Sequence, residues 1–547
     1  MPNCTLEVNE PPATSLRKAR AVGVVTLLTV VVSACGYLRE ATLAACFGIS
    51  AVMDAYFGAM FIPIILYTVL ISGALSPVFI PILLEQDSKG DRAQLSETFS
   101  VLINTVVLLL TIIIGIGILT AHTWLRLLFA GYSAETIQLA TRLTYIMLPA
   151  MLFLALAGVL TAVLNGFNRF ALASFAPCLG SLAIVVATLF SRGNGAIYIV
   201  AFATAAGFVL QFLLLLPTTR SLGIQYRPSF NLRHAANRRL LRLGAPLCGY
   251  LMLANASVLL ERNLASSLSA GAVATISYAM RLFAVPATFL VAPLAVVVYP
   301  QFARQALWGK LDHLKKHVSD MFRVVVFIFL PLSIWIVLNA LPLTRILYEH
   351  GQFGLQDSLI TARVFTLYSI GILPNAIGII VLRCFYAIQD TVTPMLAEAI
   401  DLVFYFFIAS LLSKHYGLVG LALARGMSFI LVSGIFITVL HKKHGLMEID
   451  RNFVIFALKT TLASSSVMAV SFACPHLLHQ LVDGGSIFSR LIGISVSGFL
   501  STALFLAIAW LLRIPETTRV VEALFAMRRE RGAALERLTD VEPQFNS

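Results

Sequence analysis

The chain has 547 residues, of which 59% are hydrophobic and 12% charged, and its formal net charge is +13. A soluble domain carries about 25% charged residues, so this chain has about half of the charge that a water-facing surface needs. The composition argues against a soluble enzyme and predicts a polytopic helical membrane protein. An excess of Lys and Arg is normal in the cytoplasmic loops of such proteins, so it does not indicate nucleic-acid binding.

Taken in chain order, the apolar runs predict fourteen membrane-spanning helices, because about 20 apolar residues cross a bilayer as one helix. The first run follows Arg17, Lys18 and Arg20 and leads to Cys35, which is similar to a lipoprotein signal, but the many later spans favour a transmembrane helix. The seven cysteines are scattered and predict neither a disulfide framework nor a zinc site. The predicted spans lie near residues 21–47, 50–84, 96–120, 137–164, 171–191, 195–217, 243–268, 271–300, 322–347, 359–388, 394–413, 417–440, 452–474 and 487–513.

Basic residues collect in alternate loops, and this pattern predicts the orientation of the chain. If the N-terminus is cytoplasmic, the same side receives the basic clusters within 220–242, 304–316 and 442–451 and a basic C-terminal tail. The opposite side then holds few basic residues. Both termini are therefore predicted to be cytoplasmic.

Two segments recur about 220 residues apart, which predicts two related halves. Leu43 to Pro63 is similar to Leu264 to Pro286, and Phe167 to Pro177 is similar to Phe385 to Pro394. We predict two six-helix lobes of parallel topology around a central cavity, the alternative being chance similarity between Leu- and Ala-rich helices. The predicted organisation is a cytoplasmic segment (1–20), an N-lobe (21–218), a basic cytoplasmic linker (219–242), a C-lobe (243–441), two further helices (452–513) and a cytoplasmic tail (514–547).

Ionisable residues inside the predicted spans are costly and generally face a polar cavity. Arg39, Arg262 and Arg281 lie at or beside the repeated segments, so both lobes could present guanidinium groups to one space. A guanidinium binds phosphate through two hydrogen bonds and stays charged when desolvated, which favours an anionic substrate such as a phosphate or pyrophosphate. The alternative is that neighbouring acids neutralise the arginines or that their side chains reach the membrane surface. The other charges within spans are Glu40, Asp54, Glu261, Arg383, Glu398, Asp401 and Arg425.

The sequence lacks the patterns that are typical of enzymes. It contains no Walker A motif, no HExxH motif and no nucleophile elbow. His313 and His317 have helical spacing, but Lys315 and Lys316 lie between them, which favours a solvated face over a metal site. We expect no catalytic residue and no cofactor, with transport driven by Na⁺ or H⁺, by the membrane potential or by consumption of the substrate.

Several short motifs follow one another along nearly the whole chain. Those near the N-terminus are Gly36-Tyr37-Leu38-Arg39-Glu40-Ala41, Asp54-Ala55-Tyr56-Phe57 and Gly73-Ala74-Leu75-Ser76 up to Pro81. The later ones lie within Leu164–Phe170, Tyr278–Leu282, Leu347–Phe353 and Phe385–Pro394. In this order they resemble the MurJ (MviN) family of lipid II flippases, which belongs to the MOP exporter superfamily.

The resemblance implies fourteen helices in two six-helix lobes, with a groove formed by the last two helices. It also implies that the substrate is lipid II, an undecaprenyl-pyrophosphate-linked disaccharide-pentapeptide. The family moves lipid II from the cytoplasmic to the periplasmic leaflet by alternating access, for peptidoglycan synthesis. Charge placement and the resemblance together make Arg39, Arg281, Asp54 and Arg262 the substrate-binding candidates, with Asp54 either contacting the cavity or gating it. The ion-binding or gating candidates are Glu261 and Glu40, and Glu261 either supports an ion or pairs with Arg262.

The sequence departs from the family pattern at several charged positions. Ser33 stands where the family has a third cavity arginine, Tyr67-Thr68 where it has a basic pair, and Ser72 where it has an acid. Tyr405 and Ala409 stand where some members carry ligands of a sodium site. The departures keep open a flippase of the same superfamily for another polyprenyl-linked glycan, such as an O-antigen or exopolysaccharide unit.

Two further alternatives are less favoured. A small-molecule exporter would have an acidic or aromatic cavity rather than an arginine-bearing one. A membrane enzyme of lipid-linked sugar metabolism would need large outer loops. We expect a monomeric multi-pass protein of the bacterial inner membrane, with lipid II and membrane lipids as partners, no nucleic acid, and the cell-wall synthesis machinery as a candidate partner.

Overall fold

A computed structural model describes residues 12–69, 71, 82–87, 90, 92–167, 169–191, 193, 195–220, 222–223, 226, 231, 234–448, 450–479 and 487–518. All regular elements in that part of the chain are helices, which confirms the predicted all-α class. Ten of these helices are long and apolar enough to cross a membrane, or eleven if a pair bent by 45° counts as one span. The predicted total of fourteen is not confirmed.

The helices vary widely in length, and several are shorter than a membrane span. In chain order they are α1 (Pro12–Phe47), α2 (Ala51–Tyr67), α3 (Arg92–Leu119), α4 (Ala121–Leu128), α5 (Ala134–Gly166), α6 (Phe170–Phe190), α7 (Ala196–Arg220), α8 (Ala235–Ser266), α9 (Ala272–Pro286), α10 (Ala292–Leu307), α11 (Leu311–Leu338), α12 (Ala340–Tyr348), α13 (Leu355–Ser369), α14 (Ile372–Ala387), α15 (Val392–Lys442), α16 (Arg451–His479) and α17 (Ile487–Leu511).

Some predicted features lie outside the described residues. They are most of the N-terminal segment, the stretch 72–81 with Ser72 and the motif from Gly73 to Pro81, part of the basic linker, and the tail beyond residue 518.

The helices form two compact units. The first comprises Met1–Arg281, Leu347–Thr361 and Leu402–Leu421, and the second comprises Leu282–Ile346, Ala362–Asp401 and Ala422–Ser547. All six residues predicted to form the site, from Arg39 to Arg281, belong to the first unit. The predicted domain boundaries stay predictions.

In the first unit, α5 packs against α2 and α7, and α6 packs between α1 and α7. Its core is apolar and includes Leu102 of α3 and Leu160 of α5. Large apolar side chains are also exposed, for example Leu119 at the end of α3 and Phe190 at the end of α6. A protein that is apolar both inside and outside is suited to lipid rather than to water.

In the second unit, α11 packs against α14 and α16, and α16 packs against α17. Two hydrogen bonds between polar side chains support this packing. Trp335 Nε1 donates to Ser497 Oγ at 3.3 Å, and Asn339 Nδ2 donates to Ser471 Oγ at 3.3 Å. Such bonds hold helices together in lipid, where burial of apolar surface gives little driving force between helices.

Two interruptions of regular helix have clear local causes. Within α15, Gly417 has φ 58° and ψ −135°, a conformation that glycine adopts without a Cβ penalty. This break coincides with the first residue of the predicted span 417–440, shortly after the end of the predicted span 394–413. At the end of α9, Pro286 is followed by a five-residue π turn, Ala287–Val291, before α10 begins.

Asp390 ties the beginning of α15 to the end of the same helix. Its carboxylate accepts hydrogen bonds from Thr393 N at 2.9 Å and Thr393 Oγ1 at 2.7 Å. It also accepts from Lys443 Nζ at 3.1 Å and His444 Nε2 at 3.0 Å. Burial alone raises the pKa of Asp390, but the hydrogen bonds from Thr393, Lys443 and His444 outweigh burial and hold the pKa well below its usual range.

We therefore predict that Asp390→Asn lowers the stability of the folded protein at pH 7 by about 1 kcal/mol, the usual cost of weakening a helix cap. A depressed folded-state pKa contributes stability above the unfolded pKa of about 4, and this contribution is lost as the pH falls toward the folded-state pKa. In detergent, the unfolding temperature of the variant should be lower than that of the wild type at pH 7, and this difference should become smaller below pH 4. Asp312→Asn, at an exposed position in the first turn of α11, is the matched control. An equal difference in unfolding temperature at both pH values would contradict a contribution of Asp390 ionisation to stability.

Candidate functional site

Arg39 and Glu40 form an ion pair in the middle of the membrane-spanning part of α1. Arg39 Nη2 lies 2.6 Å from Glu40 Oε1. Glu40 is buried, whereas 28% of the Arg39 side chain is exposed. The pair compensates the charge of the buried Glu40 carboxylate and leaves part of the Arg39 side chain accessible.

Arg281 lies on α9 and reaches the same stretch of α1. Its Cζ is 4.8 Å from the centre of the Tyr37 ring, a cation–π contact. A Cβ at residue 36 would overlap with Arg281 Nη2, the end of a flexible side chain, so glycine there lets the guanidinium approach α1 without being displaced. The Nε of Arg281 is buried and finds no hydrogen-bond partner among the described residues. This donor is available to an anion that reaches the guanidinium.

A buried aromatic cluster surrounds these charges. Tyr348 packs against Tyr278 and Phe353, with ring centres 5.1 and 5.6 Å apart, and its hydroxyl donates to the Tyr278 carbonyl at 3.3 Å. Tyr348 is close enough to Arg39 and Arg281 to interact with both electrostatically. Through the Arg281–Tyr37 contact, an arginine of the second predicted repeat thus lies against the stretch of α1 that carries Arg39.

Asp54 connects the two repeats through backbone groups. It lies in the first turn of α2, and its carboxylate accepts from Gly271 N at 2.6 Å and from Ala274 N at 2.8 Å. These amides belong to the start of α9, where the first N–H groups of a helix lack partners within the helix. Asp54 thus caps a helix 217 residues away, and it is 1% exposed. Its carboxylate is engaged by backbone, which favours the gating role over direct contact with substrate.

Around this cap, glycines let backbone segments of the two repeats touch. We call Gly131, Gly271 and Gly351, with the residues they contact, the glycine layer. A Cβ on Gly131 would overlap with the backbone of Ser267, and one on Gly351 would overlap with the Ala45 carbonyl. Gln352 N donates to that same carbonyl at 2.7 Å. The layer lies where α1 ends and α2 begins.

Glu261 and Arg262 have different partners, although they are adjacent in the sequence. Tyr405 donates from its hydroxyl to Glu261 Oε1 at 3.0 Å. Arg262 Nη1 donates to the Val273 carbonyl at 3.0 Å and to Ser277 Oγ. Arg262 therefore braces the start of α9, next to the cap made by Asp54. In the described part of the chain, no group of three or more His, Cys, Asp or Glu side chains is arranged to hold a metal ion.

The other charges predicted within spans belong to the second unit. Asp401 is buried and accepts a hydrogen bond from Ser428, so it joins the two halves of α15. Arg425 is also buried, and Glu398 interacts electrostatically with both Asp401 and Arg425. Arg425 therefore offsets the charge of the two neighbouring acids, which is the structural role that the sequence left open for charged neighbours.

Sequence reasoning did not identify Tyr348, Gly131 or Ser266 as parts of the site. Tyr348 lies within the motif Leu347–Phe353, so the motif held a signal for it. Gly131 N donates to Ser266 Oγ at 3.3 Å, a contact between a loop and the end of α8 that no local pattern indicates.

We predict that Gly351→Ala weakens the glycine layer. Gly351 has φ 57° and faces the Ala45 carbonyl, so alanine is strained both by its backbone conformation and by the overlap. The expected cost is about 1–3 kcal/mol, seen as a lower thermal unfolding temperature. Gly354→Ala is the matched control in the same loop, because open space surrounds its Cβ position. Equal unfolding temperatures for the two variants would show that the layer carries no strain-sensitive contact.

Comparison with known proteins identifies the family. The family model described as lipid II flippase MurJ matches residues 43–493. The probable lipid II flippase MurJ of Buchnera aphidicola subsp. Acyrthosiphon pisum is 25% identical over 498 residues, which cover 88% of this chain and 95% of the relative. The lipid II flippase MurJ of Burkholderia cenocepacia is 29% identical over 388 residues, which cover 69% of this chain and 74% of the relative.

Solved structures show the same fold. A lipid II flippase MurJ in an inward closed conformation aligns with a TM-score of 0.75 and 22% identity, over 89% of this chain and 98% of that chain. An inward-facing multidrug resistance MATE family transporter of the MOP superfamily aligns with a TM-score of 0.65 and 15% identity, over 77% of this chain and 98% of that chain. Since the family model covers most of the sequence, the chain belongs to the lipid II flippase MurJ family.

Proposed function

We propose that this protein translocates lipid II across the membrane by alternating access, and that it is a transporter without catalytic residues. Membership of the lipid II flippase MurJ family supports the substrate. The observation that carries the proposal within the structure is the contact of Arg281, from the second repeat, with Tyr37 on α1, two residues before Arg39. Two guanidinium groups at membrane depth match a lipid whose head group begins with a pyrophosphate.

Binding would exchange partners at both arginines. Arg39 gives up part of its contact with Glu40 to a phosphate oxygen, and Glu40 keeps the guanidinium oriented. Arg281 offers its unpartnered Nε while the ring of Tyr37 supports the guanidinium face. The bound pyrophosphate is thus held between groups of the first and the second repeat.

Release on the opposite side requires the glycine layer to part. The Asp54 cap on α9 is the polar contact to break, together with the hydrogen bond from Gln352 N to the Ala45 carbonyl. Hydrogen bonds to a charged group contribute about 1.5–3 kcal/mol each. Substrate binding can supply enough free energy to break these hydrogen bonds, so the layer can act as a reversible gate.

The direction and the energy source belong to the same proposal. Basic loops support cytoplasmic termini, with transport from the cytoplasmic to the periplasmic leaflet. Glu261 with Tyr405 is the candidate site for coupling to Na⁺ or H⁺, since it is a buried acid next to the start of α9. We propose a monomer as the working form, with the cell-wall synthesis machinery as its functional partner.

The arginine assignment predicts that Arg39→Ala and Arg281→Ala fail to support growth of a strain depleted of its own lipid II flippase. Loss of one charge-assisted contact worth about 1.5–3 kcal/mol lowers binding by about 10- to 100-fold. Arg→Lys variants should be impaired as well, because an ammonium cannot make the two parallel bonds. Arg304→Ala, exposed near the end of α10, should grow normally.

Removal of Arg39 also leaves the Glu40 carboxylate without its partner, which could reduce folding. The double variant Arg39→Ala/Glu40→Gln keeps the charge balanced and should reach normal membrane abundance while remaining inactive. Full growth of both single alanine variants would overturn the assignment of the site.

The gate assignment predicts that Asp54→Ala opens the glycine layer more often. Ser266→Cys, buried in the layer, serves as the reporter in a background without native cysteines. Its labelling by a membrane-impermeant thiol reagent should be several-fold faster with Asp54→Ala. Asp54→Asn should fall between wild type and alanine, because asparagine keeps an oxygen that caps helices. Glu135→Gln, exposed in the first turn of α5, is the control. Unchanged labelling with Asp54→Ala would rule out the gate.

A further inference from the structure

Two thiols meet inside the membrane-spanning part of the first unit. The Sγ atoms of Cys35 on α1 and Cys178 on α6 are 2.8 Å apart, and both cysteines are free. They are 143 residues apart in the sequence, and α1 packs closely against α6. A disulfide bond is about 2.05 Å long, so closing the gap requires a movement of less than about 1 Å.

The pair lies near the middle of the bilayer. Each cysteine is twelve residues before the end of its helix, which is Phe47 for α1 and Phe190 for α6. Cys46 Sγ also contacts the Thr188 carbonyl close to those ends, so the two helices run parallel. At about 1.5 Å per residue, the thiols are about 18 Å from the helix ends, and the hydrocarbon core is about 30 Å thick.

We propose that Cys35 and Cys178 form a reversible disulfide that restrains α1 and slows transport. The oxidant is a lipid-soluble, fully substituted quinone, which reaches this depth, whereas aqueous oxidants do not. Both S–H bonds break and one S–S bond forms. The two electrons and two protons pass to the quinone, which becomes the hydroquinone.

The position of the pair explains why a bond there would affect transport. Gly36, the next residue, accommodates Arg281, and Tyr37 supports its guanidinium. Arg39 is one helical turn from Cys35, on the same face of α1. A glycine within a helix costs about 1 kcal/mol relative to alanine, so α1 bends most easily at Gly36. A covalent bond to α6 beside Gly36 restrains bending of α1 at that residue. It thereby also restrains the contacts of Arg281 with Gly36 and Tyr37. This effect on transport rests on the proposed function.

The test counts thiols in the full-length protein in proteoliposomes before and after treatment with decylubiquinone. Denaturing alkylation with a maleimide-polyethylene glycol should label all seven cysteines in the reduced protein and five after oxidation. Mass spectrometry should find the peptides of Cys35 and Cys178 joined. Cys35→Ser and Cys178→Ser should lose no thiols on oxidation. Cys46→Ser and Cys248→Ser, whose thiols contact backbone carbonyls, should still lose two.

Lipid II translocation is then measured on the same vesicles. The oxidised wild type should be at least several-fold slower than the reduced form, and dithiothreitol should restore its rate. Cys35→Ser should keep its rate under both conditions. Absence of the cross-link, or a cross-link with an unchanged rate, overturns the proposal. Because the thiol count needs no substrate, it distinguishes failure of this proposal from failure of the proposed function.

Discussion

The carboxylate of Asp54 is the contact on which the arrangement of the site depends. By accepting from Gly271 N and Ala274 N, it fixes where α9 begins relative to α2. Arg281 lies seven residues beyond Ala274 on α9, about 10 Å along the helix, so its position follows from that of the cap. The guanidinium then rests on Tyr37 of α1, close to Arg39. One capped helix end thus sets the distance between the arginines of the two repeats.

The site also shows how few charges a membrane protein of this kind uses and how each is compensated. Glu40 is held by Arg39, Glu261 by the Tyr405 hydroxyl, and Asp54 by backbone amides. The partners of the three acids are a guanidinium, a hydroxyl and backbone amides. They therefore differ in how readily an anionic ligand can replace the existing contact. A guanidinium that is only partly engaged can accept a phosphate, whereas a carboxylate that caps a helix cannot be displaced without moving the helix.

The fold class and several site residues could be predicted from the sequence. Their partners could not, for physical reasons. Composition and apolar runs predict a helical membrane protein, and the break at Gly417 coincides with the start of the predicted span 417–440. The charged residues within predicted spans include Arg39, Asp54, Glu261 and Arg281. They are candidates for the site because ionisable groups at membrane depth are energetically costly and generally have a function. The partner of Asp54 could not be predicted, since backbone amides are the same in every residue. Nor could the pairing of Glu261 with Tyr405, which depends on how two distant helices pack. The number of membrane spans likewise depends on which short or bent helices cross the bilayer.

The glycine layer has a consequence for the entropy of opening and closing. Several of its contacts, for example between Gly351 and the Ala45 carbonyl and between Gly131 and the Ser267 backbone, are made by backbone atoms rather than by long side chains. Ordering a flexible side chain at an interface costs about 0.5–1.5 kcal/mol, and glycine has no side chain to order. Closing the layer therefore freezes few rotamers, and opening it releases few. As the proposed gate, the glycine layer would open and close with only a small entropic cost.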